Sequence, residues 1–314
     1  MASTFKSLTG DDIVSTRTLL HESIPVTGTI VSGTYESAGG TTEYNIKNYT
    51  HGMFQSVYDY PYLSSSANHI IDITCGYAND SALSKSAAVH TTQEKKINIY
   101  NQMAQVLVGH DATGAIRKFD QDGDIIGGGT KISECVFLNF SRLLTKDEVK
   151  KGSFSLTFLT GGAPRAVGTK LAPTGATVCS DLLATDTKNF YSNSPAGEYG
   201  ILYTASTTTD ATSGVGLIYY QAGVAIITAS MFSNTLPKAR KAGATGDTPE
   251  FGSPAGTYDT GSIERVLSGA SIQNVADGVR NRLQSVSFNN TTELNSTIHF
   301  CRINHNEFNY SSNP

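Results

Sequence analysis

The stretch Gly216-Leu217-Ile218-Tyr219-Tyr220-Gln221-Ala222-Gly223-Val224-Ala225-Ile226-Ile227-Thr228-Ala229 decides the fold. Two short, nearly continuous apolar runs, Gly216 to Tyr220 and Val224 to Ala229, flank the turn-forming Gln221-Ala222-Gly223. Runs this short are strands rather than helices, and the lack of alternation marks them as buried on both faces. The reading is the most buried hairpin of the chain. Outward from it, Ile70 to Tyr77, Cys135 to Phe140 and Phe154 to Leu159 alternate apolar with polar residues. Ile201 to Thr204 follows a glycine-rich turn, and Thr27 to Tyr35 and Thr41 to Tyr49 flank Ala38-Gly39-Gly40 as in a further hairpin. Gln284 to His305 holds one or two more strands, with Phe288, Ile298, Phe300 and Ile303 as their core residues.

Helical periodicity is confined to three places. Gln93 to Gly109 puts Ile97, Tyr100, Ala104 and Leu107 on one face, and Gly109 stops it. Thr145-Lys146-Asp147-Glu148 has the form of a capping box, with Thr145 as N-cap, opening a short helix that Gly152 ends. Ser271 to Gln284 spaces Ile272, Val275, Ala276, Val279 and Leu283 helically, with Arg280 and Arg282 at the negative end of its dipole. The expected class is mainly β with a few helices (α+β), its antiparallel sheets forming a sandwich-like body with long assembly loops. Residues 1–132 read as an N-terminal β-rich region with one helix. Residues 133–314 read as a second β-rich region carrying a long loop, 236–261, and the helix 271–284.

At 314 residues the chain is long enough to bury about three quarters of its unfolded surface. Fifteen Tyr and thirteen Phe argue against disorder. A net charge of −4 disfavours nucleic acid as a partner. No stretch approaches the length of a membrane span. The sequence opens without an apolar leader, and the widely spaced Cys75, Cys135, Cys179 and Cys301 read as core thiols formed in a reducing cytoplasm. Ser194-Pro195-Ala196-Gly197-Glu198-Tyr199 is echoed by Ser253-Pro254-Ala255-Gly256-Thr257-Tyr258, each a Pro/Gly turn that launches a strand through its Tyr.

Few residues are spaced for chemistry. Asp120, Asp122 and Asp124 stand at alternate positions, as the first ligands of a calcium loop do. The pattern departs from an EF-hand at the sixth position, Ile125 in place of Gly, and at the twelfth, Lys131 in place of Glu. An acidic turn is the expected reading, with those three Asp the weak candidates for a metal; otherwise no metal and no cofactor is expected. His299, Cys301 and His305 lie close together but fall short of a zinc ligand set. No phosphate loop, nucleophile elbow or zincin helix is present, so neither a catalytic residue nor a small-molecule substrate is expected. Phe54, Tyr58, Tyr60 and Tyr62 share one parity of a strand-like run, suited to core or interface packing or to stacking on a sugar. Lys238, Arg240 and Lys241 open the long loop as an exposed basic run, with a contact to acidic groups of a neighbour as the alternative reading.

Several segments resemble virion structural proteins of marine contractile-tailed phages of the cyanophage type. They are Thr4-Phe5-Lys6-Ser7-Leu8, Ser15-Thr16-Arg17-Thr18-Leu19-Leu20-His21-Glu22, and His51-Gly52-Met53-Phe54-Gln55-Ser56-Val57-Tyr58-Asp59-Tyr60-Pro61-Tyr62. Lys96-Ile97-Asn98-Ile99-Tyr100-Asn101-Gln102-Met103-Ala104, Asn139-Phe140-Ser141-Arg142 and Phe308-Asn309-Tyr310-Ser311-Ser312-Asn313-Pro314 complete the set. The resemblance implies a non-enzymatic tail or baseplate component, wedge-like, present in several copies in a symmetric assembly. Its partners would be other virion proteins, and it would assemble in the host bacterial cytoplasm. It also implies that the closing segment is the interior of a longer protein, or that this member is shorter. The alternatives are a receptor- or carbohydrate-binding module of a tail fibre and a neck- or head-associated structural protein.

Overall fold

A computed structural model describes residues 9–27, 45–59, 69–85, 92–125, 128–161, 174–181, 190–204, 214–232, 267 and 271–301. In chain order the elements are β1 (Ile13–Thr27), β2 (Ile46–Asn48), β3 (Gln55–Tyr58), β4 (His69–Tyr77), α1 (Gln93–Leu107), β5 (Phe119–Asp120) and β6 (Lys131–Ile132). They continue with β7 (Glu134–Phe140), α2 (Arg142–Thr145), β8 (Glu148–Val149), β9 (Ser155–Gly161), β10 (Thr174–Ser180), β11 (Phe190–Ser194) and β12 (Gly197–Thr204). Last come β13 (Gly214–Tyr219), β14 (Val224–Thr228), α3 (Ile272–Arg282) and β15 (Leu283–His299). The class is the expected one, mainly β with a few helices.

Thirteen strands share one antiparallel sheet, in the order β1-β15-β9-β10-β12-β13-β14-β7-β4-β3-β2, with β11 also on β12 and β8 also on β15. The hairpin of the opening stretch, β13–β14, sits inside it, with Leu217, Ile218, Tyr219, Ala225, Ile226 and Ile227 all buried. β14 continues onto β7, pairing Ile226 with Phe137 and Ala225 with Leu138. From β15 to β7 there are six strand-to-strand steps, a span of about 29 Å in a flat sheet at about 4.8 Å per step. Yet the rings of Phe288 on β15 and Phe140 on β7 are 5.3 Å apart, and Phe154 packs against both. The sheet therefore rolls over on itself, and one continuous ladder encloses the sandwich-like core.

The other face of β7 carries Phe137, which meets Phe119 edge-on, and Phe119 in turn meets Tyr100 of α1. Helix α1 lies directly on β4. A Cβ on Gly76 would stand 2.6 Å from the Lys96 carbonyl oxygen, so only glycine admits the helix backbone here. Ile97, predicted for the buried stripe of α1, is half-buried, while Ile99 and the whole of Lys96 are buried. The Lys96 ammonium donates to the Leu267 carbonyl, which lets a charged side chain sit where the periodicity predicts an apolar one. The opening helix of β15, α3, is capped by Ser271, whose Oγ accepts from Asn274 N at 3.2 Å.

Several expectations need correction. The short helix begins earlier, with Ser141 as its N-cap, and ends at Thr145. Lys146 takes a left-handed φ of 53°, and Glu148 joins β8 opposite Thr291, so the capping box does not form. Ile298 and Phe300 are exposed rather than core, whereas Phe288 is buried as expected. Cys301 is exposed, while Cys75, Cys135 and Cys179 are buried. The division at 132/133 does not divide the sheet, because β4 pairs with β7 and β1 with β15 across it. The first copy of the sequence echo forms the β11–β12 turn, with Gly197 at φ 90° and Tyr199 buried beyond it. The second copy, the long loop, and most of the hairpin predicted over Thr27 to Tyr49 lie outside the described residues.

Candidate assembly surface

β1 and β15 pair without a register break from Ile13↔His299 to Thr27↔Ser285. The far edge of β15 is occupied by β9 up to Ser287 and by β8 at Asn290 and Thr291. Beyond Thr291, among the described residues, it pairs with β1 alone. Eight residue pairs, Ile13–Leu20 against Thr292–His299, thus form a two-stranded arm about 27 Å long.

Opposite residues of an antiparallel pair share a face. One face carries the even-numbered residues. At the root these are Val26, Val286 and Phe288, all buried in the core, with Ile24 half-buried beside them. Outward the same row continues through Leu20 (51% exposed), Leu294 (47%), Val14 (42%) and Ile298 (48%), interleaved with Thr18, Thr16 and Ser296. The face that packs the interior at the root is thus crossed by the polar rung Glu22–Asn290 and, beyond it, presents Leu20, Leu294, Val14 and Ile298 with nothing over them among the described residues. Phe300, whose amide donates to the Asp12 carbonyl at 2.8 Å, adds a further exposed ring at the tip.

The arm's root is braced by the segment after α2. Lys146 pairs with Glu22 at 2.7 Å and holds its carboxyl below the ordinary range. Asp147 Oδ2 accepts from Glu293 N at 2.8 Å. Asn290 Nδ2 donates to the Leu144 carbonyl at 2.9 Å, and its Oδ1 accepts from Glu22 N at 3.2 Å. Across the arm, Arg17 pairs with Glu293, whose carboxyl is lowered first by Asn295 and then by Arg17.

Of the predicted aromatic stripe, Phe54 and Tyr58 are described, and they pack in different clusters. Tyr58 is buried on β3 against His69, with ring centroids 5.3 Å apart. Phe54 instead joins Tyr49 and His51, at 4.8 and 5.1 Å. Tyr60 and Tyr62, and the basic Lys238, Arg240 and Lys241, lie outside the described residues. His299 and Cys301 are exposed, and His305 lies outside the described residues.

The acidic loop does bring its three carboxylates together. Asp120 and Lys131 face each other across the small β5–β6 ribbon. One ligand atom from each of Asp120, Asp122 and Asp124 lies within 4.8 Å of the others. Lys131 Nζ stands 2.9 Å from Asp120 Oδ2 and 3.7 Å from Asp124 Oδ1. Ile125 N donates to the same Asp120 Oδ2 at 2.7 Å, and Ile125 takes a left-handed φ of 60° at the position where an EF-hand has its glycine. The loop is anchored to the body through the Gly123 carbonyl, which accepts from Tyr199 Oη at 2.8 Å and Asn193 Nδ2 at 3.0 Å.

Comparison of the chain with protein-family models, curated proteins and solved structures finds no match to any of them. Among the described residues, no helix is long and apolar enough to cross a membrane. The arm residues Val14, Leu20 and Leu294 were not singled out from sequence. The signal was present as the alternation Val14-Thr16-Thr18-Leu20, but Arg17, Glu22 and Pro25 interrupt the same stretch.

Proposed function

We propose that this chain is a non-enzymatic structural component of a phage virion, in the tail or baseplate, that works by contact with other protein chains. The observation that carries the reading is the arm: among the described residues, eight residue pairs extend past the last strand supporting them, with Leu20, Leu294, Val14 and Ile298 exposed on one face. A two-stranded ribbon is marginally stable by itself in water, and an uncovered apolar face is where another chain docks. The sequence resemblance supplies the kind of particle. Several copies in a symmetric assembly, with other virion proteins as neighbours, follow from that resemblance.

A mass-spectrometric inventory of purified particles encoded with this chain tests the placement, and its absence from intact particles would overturn it. The contact role is tested by Leu20→Asn combined with Leu294→Asn. We expect the isolated variant to fold as before and to be lost from the particle; undiminished incorporation would remove the arm from the reading.

A further inference from the structure

We propose that Asp120, Asp122 and Asp124 form a low-affinity divalent cation site, best suited to calcium. Two separate observations meet there. The first is the convergence of three carboxylates on one point, with ligand atoms within 4.8 Å of one another. The Lys131 ammonium stands among them, 2.9 Å from Asp120 Oδ2 and 3.7 Å from Asp124 Oδ1. The second is an orphan. The Asp120 side chain is 1% exposed, and its Oδ1 is buried with no hydrogen-bond donor, while Oδ2 takes both the Lys131 ammonium and the Ile125 amide. A buried carboxylate oxygen without a donor costs free energy that a cation removes. The Lys131 ammonium reaches Asp120 Oδ2, Asp124 Oδ1 and the carbonyls of Ile125 and Gly128 instead.

The chemistry of the donors selects the ion. All are hard oxygens, and Asp122 is half-buried and Asp124 exposed, so water completes the shell. Gly129, at φ 88°, lets the chain close on Asp122; a Cβ there would lie 2.4 Å from Asp122 Oδ2. The ring of Tyr191 packs on Gly123, and its hydroxyl is raised by burial and then by Asp122. That places a natural sensitiser beside the loop.

Terbium luminescence excited through tyrosine, with calorimetric titration of calcium into the full chain, tests the site. We expect sensitised emission that calcium displaces, with a dissociation constant on the order of 10⁻⁴ to 10⁻³ M, as for lean calcium sites. Asp122→Asn with Asp124→Asn, at a half-buried and an exposed position, is expected to weaken binding at least about tenfold. Lys131→Glu restores the twelfth-position carboxylate and is expected to tighten it by about the same factor. Absence of emission and heat at about 10 mM calcium would overturn the proposal. So would binding that neither variant alters, because the ion would then lie elsewhere.

Discussion

The β7–β14–β13 centre of the sheet and the outer half of β1–β15 are built from the same antiparallel ladder, yet they differ in everything except their hydrogen bonds. In the centre, Phe137, Leu138, Ile226 and Leu217 are buried by layers on both sides. In the arm, Leu20 and Leu294 hold the same relation to the backbone and face solvent. Pairing sets the geometry in both places; only covering adds the roughly 1.5–3 kcal/mol that each large apolar side chain gains on burial. The arm therefore carries a reserve of stabilisation that becomes available when a second chain lies over it.

The comparison breaks most visibly in the centre. Phe137→Ala removes a ring held between Phe119 and the β7 neighbours, and is expected to cost about 3–5 kcal/mol in urea denaturation. Next in size is a pH effect at Asp181, which closes the core beside β10. Its carboxylate accepts from Gly152 N, Phe154 N and the Tyr220 hydroxyl, yet burial outweighs these and pushes its carboxyl up to about 6 from 3.8. The folded chain thus holds a proton between those values that the unfolded chain has released. Stability through this group should be present below about pH 4 and fall by about 3 kcal/mol as pH rises through 6. Denaturation midpoints across that range, flattened in Asp181→Asn, would check the sign. In the arm the expectation reverses. Leu20→Asn with Leu294→Asn should change the stability of the isolated chain by less than about 0.5 kcal/mol, as for open surface sites. Hydrogen exchange should likewise be fast at Val14–Leu20 and slow at Cys135–Leu138; equal protection would erase the contrast. Smallest of all, Arg17→Ala breaks an exposed ion pair and should leave the melting temperature unmoved.

The central hairpin was legible because Gly216–Ala229 carries its whole partnership within one short stretch. Helix α1 was legible for the same reason, down to its end near Gly109. β1 was not, since its partner begins 256 residues after it ends and its own text mixes Arg17, Glu22 and Pro25 with the apolar row. The capping box at Thr145 failed because the β8–β15 pairing at Glu148 outcompetes a local helix start. The acidic loop was legible as a cluster. The orphaned oxygen was not, because it depends on how Lys131 and Ile125 divide the other oxygen of Asp120 between them.

The two halves of the arm are also far apart in time. β1 leaves the ribosome before β15 and pairs with it only when residues 283–299 have followed. Until then the exposed face of the arm has one strand and no shape. Under the proposed assembly role, synthesis itself would act as a timer, because a nascent chain has no finished handle to offer its neighbours.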